Sequence, residues 1–254
     1  MTGSNDVPGP LSDPGGWGPA GAEATWRPAI LDALGVLVAG YGLGGLASSG
    51  VQAQFDGALA DAVALTSVAA MLGVVAVAWS LARCGVAGLR AVLGPRPTAS
   101  HVAVAVTVGV AVGGVCNVGL PPLLEVLLDQ VGLEPPTVQQ THRRVLTASG
   151  SRVAAVVGVL AIAPLGEELL FRGLAFRALR RHLRAVAAVA ASAVLFAAVH
   201  LPGTGVLGAA FLVVTLGTVG VALAALVERQ RHLWGAVVAH AVFNAVGVGV
   251  IVIP

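Results

Sequence analysis

The chain has 254 residues, 57% hydrophobic and 10% charged, with a mean hydropathy of +0.91 and a formal net charge of +2. A typical soluble domain carries roughly 25% charged and 45–50% apolar residues, so this composition excludes an ordinary soluble enzyme, a disordered chain and a nucleic-acid binder. It points to an all-α, polytopic bundle of transmembrane helices.

Residues 1–27 read as a flexible, uncleaved cytoplasmic tail. They are rich in Gly, Pro, Asp and Ser and lack the basic start and short apolar core of a secretory signal. Apolar stretches near the ~20 residues that a bilayer demands then recur about seven times. The expected spans are 28–48, 60–82, 101–120, 153–176, 185–201, 206–227 and 233–253. Between the third and fourth lies a polar stretch, 121–152, opened by Pro121-Pro122 and interrupted by Pro135-Pro136, with a short amphipathic helix expected around Leu123–Leu133. The chain divides accordingly into the tail (1–27), N-terminal membrane helices with the polar loop (28–150), and a C-terminal helical core (151–254). Cys84 and Cys116 lie beside or inside apolar runs without metal-ligand spacing and read as packing residues.

Arginine placement sets the expected orientation. With the N-terminus in the cytoplasm, ten arginines fall inside (Arg27, Arg83, Arg90, Arg96, Arg177, Arg180, Arg181, Arg184, Arg229, Arg231) and three outside (Arg143, Arg144, Arg152). That bias follows the positive-inside rule and places the chain as a multi-pass protein of the plasma membrane. Trp26, Trp79 and Trp234 then lie near the cytoplasmic interface.

Ionisable residues inside a span cost at least ~2.5–3.5 kcal/mol at mid-depth and are functional candidates by default. The fourth span carries Glu167, Glu168 and Arg172. Glu168 and Arg172, four apart, share a helical face, whereas Glu167 points about 100° away and is free to face something else. The fifth span ends with Phe196 and His200, and the seventh carries His240 and Asn244 on one face. Taken singly these are a structural clamp, an interfacial histidine and hydrogen-bonding glue between helices. Taken together they supply a general base, imidazoles and an amide donor, the parts needed to activate water and stabilise an oxyanion in a dry pocket within the bundle. Asp32 and Asp61 are expected as caps, Asn117 and Thr107 as helix glue, and His101, His182 and His232 as residues of helix ends and turns.

These residues resemble the CPBP intramembrane proteases, the family of CAAX-type prenyl-protein endopeptidases and bacteriocin-processing, Abi-type enzymes. The motifs are Glu167-Glu168-x-x-x-Arg172, Phe196-x-x-x-His200 and His240-x-x-x-Asn244, in that order, and the resemblance covers about residues 150–250. It implies a peptidase in which Glu167 activates water with His200, His240 and Asn244 stabilise the oxyanion, and Glu168 and Arg172 support the site. The family has been described both as metal-dependent and as metal-free. A zinc set here would be Glu167, His200 and His240; no H-E-x-x-H helix is present, and the metal-free form is favoured. The expected partners are the lipid bilayer and a membrane-associated protein or peptide substrate, not nucleic acid. An all-Arg, Ala/Val/Gly-rich chain points to a high-GC bacterial source, so a prenylated CAAX substrate does not follow. The alternatives are a non-catalytic membrane scaffold, for example one conferring bacteriocin self-immunity, and a proton-coupled carrier. Helical rise sets one difficulty. His200 is ~24 Å along from Arg184 and His240 ~13 Å from Arg231, so straight spans hold the imidazoles at different depths unless a helix extends, tilts or breaks near Pro164.

Overall fold

The computed structural model describes residues 28–134, 140–148, 150–201 and 205–253. The tail, Pro135-Pro136 and Pro202 lie outside the described residues. Among those described there is no strand, and eight helices follow one another: α1 (Ile30–Gln54), α2 (Ala58–Leu93), α3 (Ala99–Asp129), α4 (Gln140–Thr147), α5 (Arg152–Arg180), α6 (Ala185–Ala198), α7 (Val206–Gln230) and α8 (Trp234–Val252). Six of them are long and apolar enough to cross a membrane. The exception among the seven expected spans is α6, whose 14 residues rise ~21 Å, short of the ~30 Å hydrocarbon core. It therefore ends partway across.

The polar stretch differs from expectation. Pro121-Pro122 does not end the third span, and no separate helix begins at Leu123. Instead α3 passes through a π-helical segment, Gly114–Gly119, and continues to Asp129 with the prolines at the start of the renewed α-helix. The wide π turn shifts the hydrogen-bond register (Leu120 N–H donates to the Val115 carbonyl), and missing N–H groups are tolerated in a first helical turn. The short helix of this region is α4, which buries Val145 and Leu146 against Ala62 and Ala155.

α2 runs for 36 residues because it bends: Gly85 has φ 63°, ψ −166°, a conformation open to glycine, and the last turns continue beyond it. At the far end Arg177 donates to the Ala91 and Val92 carbonyls at 2.7 and 2.6 Å, satisfying orphan acceptors of the helix terminus. Arg177 was expected in a cytoplasmic turn; it is buried in the last turn of α5.

α5 is the central rod, touching α1, α2, α6, α7 and α8. Its residues Glu168 to Ala178 are buried throughout. Glycine and alanine allow the close approach that membrane helices use in place of a hydrophobic drive. Gly166 lies against the Ala69 carbonyl and Gly73 of α2, and Gly220 of α7 lies against Ala193 of α6. Large apolar side chains such as Leu31, Val153 and Val186 face outward, as lipid requires. Ion pairs join groups at matching ends of the bundle: Asp32 to Arg83 (3.8 Å), Asp61 to Arg144 (3.3 Å) and Glu228 to Arg180 (3.0 Å).

Candidate active site

Two irregularities of α5 frame the candidate residues. A π segment covers Gly158–Ile162 just before Pro164, and another covers Leu169–Phe176 just after the two glutamates. Segments of this kind widen the helix by one residue per turn and occur preferentially at functional sites. Glu167 and Glu168 sit on the short α-helical stretch between them.

The two carboxylates occupy different surroundings. Glu168 is fully buried, and its Oε1 accepts from Arg172 Nη1 at 2.8 Å and pairs with His240 Nδ1 at 2.9 Å. Arg172, also fully buried, donates from Nη2 to the Gly220 carbonyl at 3.3 Å and stacks its guanidinium 4.4 Å from the centre of the Phe196 ring. That cation–π contact helps to repay the desolvation of the guanidinium. Glu168 Oε2 and Arg172 Nε have no hydrogen-bond partner among the described residues. Glu167 keeps 15% of its side-chain surface, and its Oε2 lies 3.9 Å from His240 Nε2. His240 therefore stands between the glutamates, one ring nitrogen toward each.

Phe196 resolves the expected mismatch of depth. Its ring centre is 5.0 Å from that of His200, 5.8 Å from that of His240 and 5.1 Å from that of Phe171. Both imidazoles thus meet one aromatic ring although they come from helices that begin at the same end. Two features make this possible: α6 is only 14 residues long, and the His200 side chain turns back to bond the carbonyl of Phe196 through Nδ1 at 2.7 Å. A carbonyl only accepts, so Nδ1 carries a proton and Nε2 is the nitrogen turned away from the helix backbone.

Asn244 lies elsewhere. Its Nδ2 donates to the Val159 carbonyl of α5 at 2.8 Å. The structure therefore brings Glu167, Glu168, Arg172 and His240 into direct contact, sets His200 beside them across Phe196, and joins Asn244 to the backbone of α5. Sequence reasoning missed Tyr41 of α1, which packs against the core. As the chain's one tyrosine, inside an apolar span, it carried a signal that could have been read.

Among the described residues no group of three or more His, Cys, Asp or Glu side chains is spaced to hold a metal ion. Glu167 and His240 approach each other, and the Nδ1 atoms of His240 and His200 are taken by Glu168 and by the Phe196 carbonyl. Cys116 is buried with its thiol near the Thr215 carbonyl, in keeping with a packing role.

Residues 149–246 match a family model described as Rce1-like, type II CAAX prenyl endopeptidase. The matched segment contains the three motifs and all six candidate residues. No curated protein and no solved structure matches the chain.

Proposed function

We propose, from the match of residues 149–246 to the model of Rce1-like endopeptidases, that this multi-pass membrane protein hydrolyses peptide bonds of a membrane-associated protein or peptide by a metal-free glutamate mechanism. The observation that carries the reading is the unequal pair of carboxylates joined by His240, one fully buried and fixed by Arg172, the other partly open. A structural clamp needs Glu168 and Arg172 and has no use for Glu167.

In this reading Glu167 is the general base. A water held between its carboxylate and Nε2 of His200 attacks the scissile carbonyl carbon, and Glu167 takes the water's proton. The carbonyl oxygen becomes an oxyanion, which His240 stabilises by donating an Nε2–H while its Nδ1–H stays on Glu168, so the step requires both ring nitrogens to carry a proton. Collapse breaks the carbon–nitrogen bond, and Glu167 returns its proton to the leaving amine. The products are a carboxylic acid and an amine, with Glu167 restored. Glu168 and Arg172 touch no reacting atom; they hold His240 at the right angle. Asn244 gives one amide N–H to the Val159 carbonyl and has a second for the oxyanion.

The test compares membranes containing the wild type or Glu167→Gln, with newly formed protein N-termini read by mass spectrometry. The expected result is a set of termini present only with the wild type, at equal expression of the two proteins. Identical termini from both would overturn the reading and favour a scaffold.

A further inference from the structure

The hydrogen bonding of α5 takes the ordinary backbone donor away from the Val159 carbonyl, and Asn244 supplies one. In an α-helix the Val159 oxygen would receive the N–H of Ala163. Here the π register sends that N–H to Gly158 instead. In the π register the next donor would be residue 164, which is proline and has no N–H. The Val159 carbonyl is thus orphaned by two consecutive features of the chain, inside a span where water cannot replace the missing donor. Asn244 Nδ2 reaches it from α8 at 2.8 Å.

From this we infer that Asn244 is a positioning residue: its carboxamide fastens the Pro164 break of α5 to α8 and so fixes where Glu167 stands relative to His240. Pro164 is three residues before Glu167 and Asn244 is one helical turn after His240. The clamp therefore ties together the two backbones that carry the base and its imidazole neighbour. A rotation of α5 at the break would swing Glu167 away from His240 Nε2. The effect on catalysis rests on the peptidase reading above; the clamp itself does not.

Pro164 supplies the test. Pro164→Ala restores an N–H that, in the register set by Ala163, points at the Val159 oxygen and makes the Asn244 amide redundant. Wild type, Asn244→Ala, Pro164→Ala and the double variant would be melted in detergent. Asn244→Ala is expected to lower the midpoint by about 2–4 °C, and the same change on the Pro164→Ala background by less than half as much. Asn244→Leu, with the same number and branching of side-chain heavy atoms and without a donor, replaces Ala if the smaller residue prevents folding. A second readout is the pH profile of Glu167 modification by dicyclohexylcarbodiimide, followed by mass spectrometry. The profile should move in Asn244→Ala and return in the double variant. Additive melting shifts, or a Glu167 profile indifferent to both substitutions, would overturn the assignment. A Glu167→Gln protein that still cleaves would sink the peptidase reading alone, since the melting cycle needs no substrate.

Discussion

Arg172 and His240 meet on one atom: Arg172 Nη1 and His240 Nδ1 lie 2.8 and 2.9 Å from the same oxygen, Oε1, of Glu168. All three groups are buried, so the arrangement is held by geometry with little help from solvent. Removing one partner of a buried pair costs about 3–5 kcal/mol, whereas replacing both by apolar groups of similar volume is often neutral. Arg172→Ala should therefore abolish folding or strongly lower the melting midpoint in detergent. Glu168→Leu combined with Arg172→Met should recover most of that stability. Cleavage should not recover with it, because His240 has lost the anchor of Nδ1. A double variant that regains both would show that Glu168 has no task beyond neutralising Arg172.

His200 separates structure from chemistry within a single ring. Nδ1 is used on the Phe196 carbonyl, and Nε2 is the nitrogen left for water. His200→Asn keeps a donor near the Nδ1 position and places nothing at Nε2. The expected outcome is a fall in cleavage of about 10²–10⁴-fold, the usual range for a lost acid–base group, with an unchanged melting midpoint. If cleavage survives in His200→Asn, the water is held by some other group.

The polar residues that meet inside the bundle were legible in the sequence because intramembrane charge is expensive and therefore scarce. Glu168 and Arg172 pair as their spacing of four requires, and Glu167 points away from that pair toward His240. Legibility failed where the backbone departs from a regular α-helix. Periodicity assumes one register, and the π segments at Gly114–Gly119, Gly158–Ile162 and Leu169–Phe176 each shift it. Pro121-Pro122 looked like a boundary for that reason and is absorbed into α3. The same blindness hid the partner of Asn244, a carbonyl that exists as an acceptor only because Ala163 bonds one residue too far back. Arg177 shows a different limit: sequence counts a cation near a span end as interfacial, and cannot see that the end of α2 offers it two carbonyls.

Close helix approach gives a prediction of opposite signs at two glycines. A Cβ at Gly166 would collide with the Ala69 carbonyl oxygen, a backbone atom that cannot turn aside, whereas one at Gly42 would meet nothing within 4 Å. Gly166→Ala forces α2 and α5 apart one residue before Glu167. Overpacking of this kind costs about 1–3 kcal/mol, and cleavage should fall with it. Gly42→Ala removes a flexible residue from the interior of α1 and should leave the melting midpoint equal or raised, the helix gaining roughly 0.5–1 kcal/mol. Melting both variants side by side in one detergent checks the pair, and an intact Gly166→Ala protein would show that α2 and α5 have room to slide.

The turn between α7 and α8 makes stability depend on pH. His232 is fully buried there, accepts the Gly235 N–H at Nδ1 (3.2 Å) and meets His101 Nδ1 with Nε2 at 3.0 Å. Gln230 donates to the His101 carbonyl, Gly94 closes over the His232 backbone, and Leu233 donates to Leu93, so α2, α3, α7 and α8 all join at this point. Burial first, and the facing His101 second, hold His232 below the ordinary histidine value of 6.5, against a smaller opposing backbone hydrogen bond. A group with a depressed folded-state value takes up its proton more readily when unfolded. Its contribution to stability is therefore complete above about 6.5 and declines as the pH falls from there through the lower folded value. A proton on Nδ1 would also evict the Gly235 N–H. The melting midpoint in detergent should fall between about pH 8 and about pH 5, and the fall should be shallower in His232→Gln, which has no titrating group. Parallel curves for the two proteins would mean that the acid sensitivity arises elsewhere in the bundle.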